Sequence, residues 1–179
     1  MNIDKLIDDV IRREGGYVDH PADRGGKTIW GITEAVARAN GYTGLMKAMP
    51  RATAVAIYRS EYAIKPGFAA VAEVYPDLGA KLFDVGVNMG PAWPSRWLQE
   101  WLNALNQGGK LGADLVEDGK LGAKTLAALK ALKAWRGAEG EQRLLTAIRG
   151  DQTARYKAIV RGSASQRAFA YGWLARAAA

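Results

Sequence analysis

At 179 residues, 49% of them apolar, the chain suits one compact domain, or one domain with a small appended subdomain, and carries enough apolar surface for a real core. With no cysteine and a single histidine, it excludes disulfides, thiol catalysis and cysteine-ligated metals, and argues against a histidine metal site or a Ser-His triad. A net charge of +7 favours a polyanionic partner, and nucleic acid, anionic lipid headgroups and an acidic cell wall all qualify.

The clearest predicted element comes first. Asn2 can cap a helix over 2–14, and Ile3, Leu6, Ile7, Val10 and Ile11 repeat at helical spacing. Gly15-Gly16 then stops it. This N-terminus reads as a structural helix and not as a secretory signal. No apolar run reaches bilayer length, so a soluble chain without stable membrane insertion is expected. Reaching the outside of a cell would then require help, such as a holin or a secretion channel.

Residues 17–33 hold Pro21, Gly25, Gly26 and Gly31 among aromatic and polar residues, which predicts a short hairpin or compact loop. Helix resumes after Thr33, a plausible N-cap, and stops at Asn40-Gly41. Further helices are expected over 51–64, ended by Pro66-Gly67, and over 77–89. Trp93, Trp97, Leu98, Trp101, Leu102 and Leu105 form another helical stripe; the three tryptophans read as core in preference to a sugar platform. Residues 107–122 are Gly-rich and contain GKLGA twice, at 109–113 and 119–123, marking two turns of one loop. Helices return over 124–136, 141–161 and 165–176. The expected fold is mainly α with a small hairpin or irregular insertion near 17–32, divided into a domain 1–91 and a helical subdomain 92–179.

Glu14 is the residue that points to chemistry. It continues the apolar stripe, three beyond Ile11 and four beyond Val10. Burial disfavours a charged carboxylate, and so does the partial negative charge at a helix C-terminus. Both would hold Glu14 protonated near neutral pH, as a general acid must be. The structural reading is a Glu neutralised by arginine, Arg12 and Arg13 being nearest in sequence. Asp23 follows after eight residues and Thr28 after four more. An inverting glycosidase needs two carboxyl groups roughly 6.5–9.5 Å apart with a water between. A helix end facing a tight loop can present Glu14 and Asp23 in that way, with the Thr28 hydroxyl holding the water. Tyr17 and Trp30 offer flat apolar surface to a sugar.

The segment EGGYVDHPADRGGKTIWGIT, residues 14–33, resembles glycoside hydrolase family 108. The matching positions are Glu14, Gly15, Gly16, Tyr17, Pro21, Asp23, Gly25, Gly26, Thr28, Gly31, Ile32 and Thr33. His20 stands where the family pattern has Asp or Asn. The spacing is also similar to the Glu–Asp–Thr triad of phage lysozymes, with four residues in place of five between Asp and Thr. The resemblance implies a lysozyme-like N-acetylmuramidase that cleaves the β-1,4 bond beside N-acetylmuramic acid. Catalysis would fall to Glu14, Asp23 and Thr28. Substrate contacts would come from Tyr17, His20, Trp30, Gly31, Tyr58, Tyr62 and Asn88. FDVGVNMGP at 83–91, with Asp84 and Asn88 one turn apart, looks like the family's later signature. From residue 92 onward the chain resembles the peptidoglycan-binding domain often attached to this family, with Asp118, Gly119, Gly122 and Thr125 in its turn; Thr125 can cap the helix that follows.

The implied partner is bacterial peptidoglycan, met by a monomer on the periplasmic or exterior wall, with no metal and no organic cofactor. A lytic transglycosylase and a non-catalytic wall-binding adaptor are the alternatives. A nucleic-acid binder would explain the charge but leave Glu14 and its loop unexplained. Phage endolysin, prophage product and secretion-linked lysozyme are all open. Gly26-Lys27-Thr28 imitates the end of a phosphate loop, but Pro21 stands where that motif needs glycine.

Overall fold

A computed structural model describes residues 3–19 and 26–178, and of Glu14 the backbone alone. The chain packs as two compact units, Met1–Lys65 and Pro66–Ala179, divided earlier in sequence than residue 91. It is mainly α. Among the described residues there are eight α-helices and one two-stranded antiparallel sheet, and no helix is long and apolar enough to cross a membrane.

In the first unit, α1 (Ile3–Glu14) buries Ile7, Val10 and Ile11, the centre of its apolar stripe. That face packs on α3 (Arg51–Tyr58) and on the π-helical turn Arg59–Ile64 that continues it, filling the span predicted as one helix. Arg51 donates to Asp8 at 2.5 Å, and Arg59 pairs with Asp4. Both pairs are solvent-exposed, so they steer α1 onto α3 more than they stabilise it. The sheet is a minimal hairpin, β1 (Thr28–Ile29) and β2 (Ile32–Thr33), in the register Thr28↔Thr33 and Ile29↔Ile32. Its isoleucines face the core, 6% and 1% exposed. Thr33 then caps α2 (Glu34–Ala39), its hydroxyl accepting from the Val36 N–H at 3.4 Å.

The second unit begins with α4 (Phe68–Val74), which the sequence did not announce, lying as it does in the seven residues between Gly67 and Tyr75-Pro76. It packs on α5 (Pro76–Met89) so closely that a Cβ at Gly79 would lie 2.5 Å from the Cβ of Ala72. Leu78, Leu82, Phe83 and Val85 of α5 are buried. Next come α6 (Ala92–Ala104) and α7 (Ala123–Gly162), which breaks at Gly137 (φ 55°, ψ −139°), between the two predicted helices. The span expected as one helix over 165–176 instead starts as a 3-10 turn, Ala164–Phe169, before α8 (Ala170–Ala178). Thr125 does not cap α7: Gly122 occupies that position, and Thr125 is buried inside the helix.

The loop between α6 and α7 is held by amide side chains of α6 and of Asn106, two residues beyond its end. Asn106 accepts from the Leu111 N–H at 2.7 Å and donates to the Gly112 carbonyl at 2.9 Å. Asn103 does the same at Leu115, and Gln99 pairs with the Gly119 N–H and the Lys120 carbonyl. Each amide serves a backbone donor and a backbone acceptor, so a long irregular segment keeps its polar groups satisfied without a strand partner.

Candidate active site

Glu14 is the last residue of α1, and Gly15 supplies the stop with φ 70°, its N–H returning to the Ile11 carbonyl at 3.1 Å. The Glu14 backbone therefore sits at the negative end of the helix dipole, as the sequence implied. Arg12 pairs with the Asp9 carboxylate at 3.2 Å, and Arg13 Nε donates to the Asp9 carbonyl at 3.3 Å. The side chain of Glu14, together with His20, Pro21, Asp23 and Gly25, lies outside the described residues.

Thr28 is fixed by backbone bonds on both sides. It pairs with Thr33 in the hairpin and exchanges two hydrogen bonds with Val18, at 2.8 and 2.9 Å. Its hydroxyl donates to the Gly26 carbonyl at 3.2 Å, which leaves the oxygen lone pairs for another donor. Tyr17, half-buried, donates to Asp19 at 3.0 Å. Burial first, then the acceptor and charge of Asp19, raise its phenol above the ordinary value of 10.0.

The hairpin turn is Trp30-Gly31, with φ 56° and 76°. Two residues with positive φ make the type I′ geometry that matches the twist of the flanking strands. Gly31 adopts this freely, whereas a tryptophan is strained there by about 1–2 kcal/mol. Two bonds hold Trp30 in place: its indole N–H donates to the Met49 carbonyl at 3.0 Å, and its carbonyl accepts from the Tyr58 hydroxyl at 3.1 Å. Gly31 shapes the turn and has no side chain to offer. Tyr58 is 2% exposed and braces the turn, so it does not present a face to substrate. Its neighbour Tyr62, with ring centroids 5.5 Å apart, is half-buried, and burial followed by the charge of Glu61 raises its phenol. The first unit thus gathers Thr28, Trp30, Gly31 and Tyr58 into one braced hairpin.

Asn88 belongs to the second unit and is exposed near the end of α5, accepting at Oδ1 from the Tyr156 hydroxyl at 2.8 Å. It lines a cleft of about 260 Å³ with Trp93, Arg155, Tyr156 and Trp173. Trp93 is 39% exposed, in the first turn of α6 with the Arg155 guanidinium 4.2 Å from its ring, and so departs from the core reading that Trp97, at 7%, satisfies. Arg155, Tyr156 and Trp173 went unnoticed in the sequence because they lie more than sixty residues from Asn88 and share no local motif with it. Asp84, one turn before Asn88, is engaged by Arg176 through two side-chain bonds of 3.0 and 3.1 Å. Among the described residues no group of acidic or histidine side chains is arranged to hold a metal.

Residues 7–90 match the family model described as glycosyl hydrolase 108, and residues 93–178 match one described as a predicted peptidoglycan domain. The chain is similar to a solved structure of Brucella abortus SagA, with 28% identity and a TM-score of 0.68 over 98% of this chain and 89% of that one. No curated protein matches the sequence.

Proposed function

We propose that the chain, whose residues 7–90 match the glycosyl hydrolase 108 model and whose residues 93–178 match a peptidoglycan domain, is a muramidase cutting the β-1,4 bond between N-acetylmuramic acid and N-acetylglucosamine. The observation that carries this reading is the segment 14–33 within the matched region: a carboxyl residue closing α1, locked by Gly15, followed by a braced hairpin bearing Thr28. Glu14 protonates the leaving glycosidic oxygen. Asp23, helped by the Thr28 hydroxyl, activates a water for a single displacement. Tyr17, the ring face of Trp30 and Tyr62 stack on sugar, and His20 is a further substrate contact. This chemistry runs without a metal or an organic cofactor.

In this reading residues 1–91 cut and residues 92–179 hold the wall. The net charge of +7 draws the protein toward an anionic polymer, an attraction that high salt weakens. The deciding experiment is the loss of turbidity of purified Gram-negative sacculi, wild type beside Glu14→Gln, with products read by mass spectrometry. New reducing muramic ends from the wild type, slowed at least about a hundredfold in the variant, are expected. Anhydro-muramic ends would mark a lytic transglycosylase instead. Binding without cutting by both proteins would leave a wall adaptor, and undiminished cutting by Glu14→Gln would place the acid elsewhere.

A further inference from the structure

The 260 Å³ cleft on the second unit is chemically asymmetric in a way that identifies a ligand. Its inner wall is a hydrogen-bond chain. Gln152, fully buried, donates through Nε2 to the Tyr156 hydroxyl at 3.1 Å, and Tyr156, 3% exposed, passes its own proton to Asn88 Oδ1 at 2.8 Å. With the phenol proton on Asn88 Oδ1, the Asn88 NH2 is turned away from Tyr156. The outer walls are aromatic. Trp173 stacks on Tyr156 with centroids 5.0 Å apart and on Phe169 at 5.9 Å, and Trp93 is partly open under Arg155. Among the described residues no carboxylate pairs with Arg155.

A held amide donor between apolar ring faces suits an N-acetyl carbonyl on a sugar whose C–H face stacks on tryptophan. The guanidinium alongside suits a carboxylate. The volume lies below the roughly 300–1,000 Å³ of ordinary ligand pockets, which is room for one ring and not for a strand. A larger cavity of about 370 Å³, lined by Trp101, Trp135, Arg136 and Arg143, lacks this character. There the Trp101 N–H is taken by Asp151 and Arg143 by Glu139.

We propose that Asn88, Trp93, Arg155 and Trp173 form a saccharide subsite for one N-acetylated sugar bearing a carboxylate-containing substituent, as a peptide-substituted muramic residue does. The proposal rests on the peptidoglycan reading and names a contact point for that polymer. Asn88 Nδ2 donates to the N-acetyl carbonyl, Arg155 leaves Trp93 to pair with the carboxylate, and the sugar ring takes the Trp93 face with Trp173 at its side.

The test uses the full chain carrying Glu14→Gln, titrated with a disaccharide-tetrapeptide and, as a neutral probe, N,N′-diacetylchitobiose, while NMR follows the indole resonances of Trp93 and Trp173. Asn88→Asp keeps the acceptor for Tyr156 and removes the outward donor. It is expected to weaken both probes about tenfold. Arg155→Met is expected to weaken only the disaccharide-tetrapeptide, again about tenfold, and to leave chitobiose within about twofold. Unshifted indole resonances, unchanged affinity in Asn88→Asp, or equal losses for both probes in Arg155→Met would each overturn the subsite. Sacculus digestion by the wild type is scored separately. Cutting with a failed titration removes the subsite and leaves the hydrolase standing, while a successful titration without cutting does the reverse.

Discussion

The two units are held together by different means. In Met1–Lys65 the telling features are conformational, a helix stopped by one glycine and a two-residue turn with both φ angles positive, and the ion pairs that join its distant segments are exposed. In Pro66–Ala179 they are polar side chains joining helices far apart in sequence. Glu141 of α7 accepts from the N–H groups of Asp77 and Leu78, capping α5 from 63 residues away, and the Tyr75 hydroxyl donates to the Gly137 carbonyl at 2.7 Å. Lys81 Nζ donates to the Arg176 and Ala177 carbonyls at the end of α8. A unit shaped by backbone conformation can place reacting groups finely on little core. One bolted by buried polar contacts tolerates little change inside but can carry a rigid surface. The boundary between the two family matches, near residue 91, falls within that second packed unit, because α4 and α5 pack against α7.

The strongest test of this contrast is Gly79→Val. A side chain there has no room against Ala72, and forcing the α4–α5 contact apart is expected to cost about 3 kcal/mol. Urea denaturation would show it; a loss under 1 kcal/mol would mean the contact adjusts and the second unit is softer than it looks.

Lys81 gives the next effect. Burial, opposed by Asp84 and reinforced by Arg149 and Arg176, lowers its amine from 10.5 to about 8. Below that pH it is charged in the folded and unfolded chain alike. Between about 8 and 10.5 the folded chain sheds the proton first, so this group's contribution to stability grows as pH rises and is lost as pH falls back through 8. The neutral amine still has two N–H bonds for the two carbonyls of α8. Comparing wild type with Lys81→Met across that window should isolate a rise of about 2 kcal/mol, allowing for screening. Parallel pH curves for the two proteins would refute it.

The same contrast explains what could be read from the sequence. The α1 stripe, the Gly15 stop, the hairpin around Gly31 and the break between the two halves of α7 are local patterns, and local patterns survive in one dimension. The α4 helix is too short for periodicity to reveal. The Gln99–Asn103–Asn106 ladder looks like three ordinary polar residues until the loop it holds is folded against it. Tyr58 shared a helical face with Tyr62 and so looked like a subsite pair, yet its hydroxyl is spent on a carbonyl 28 residues back. Burial and partner identity depend on the fold, which is why candidate residues on local motifs were legible while the lining of the Asn88 cleft was not.

Tyr58→Phe tests the braced turn directly. It removes the donor to the Trp30 carbonyl and leaves the strained residue with its indole bond to Met49. A loss of about 1.5 kcal/mol is expected. If the hairpin positions Thr28 and the Trp30 ring for catalysis, sacculus digestion should fall by more than the unfolded fraction accounts for. Equal losses in stability and activity would make the brace purely structural.

Gly15→Ala should have the smallest effect on stability and the most informative one on activity. Among the described residues a Cβ at position 15 meets nothing within 4 Å, so the cost expected is that of φ 70° for an L-residue, about 1 kcal/mol. The chain can relieve that strain by letting α1 run on past Glu14, which would rotate the next residues and move the carboxyl away from the helix end. If Glu14 is the acid, kcat on soluble muropeptide substrate should drop by an order of magnitude or more while KM changes little, since geometry at the reacting bond is what has been lost. A kcat that follows only the small change in stability would mean that the helix stop does not position the acid, and the local-geometry account of the first unit would lose its functional half.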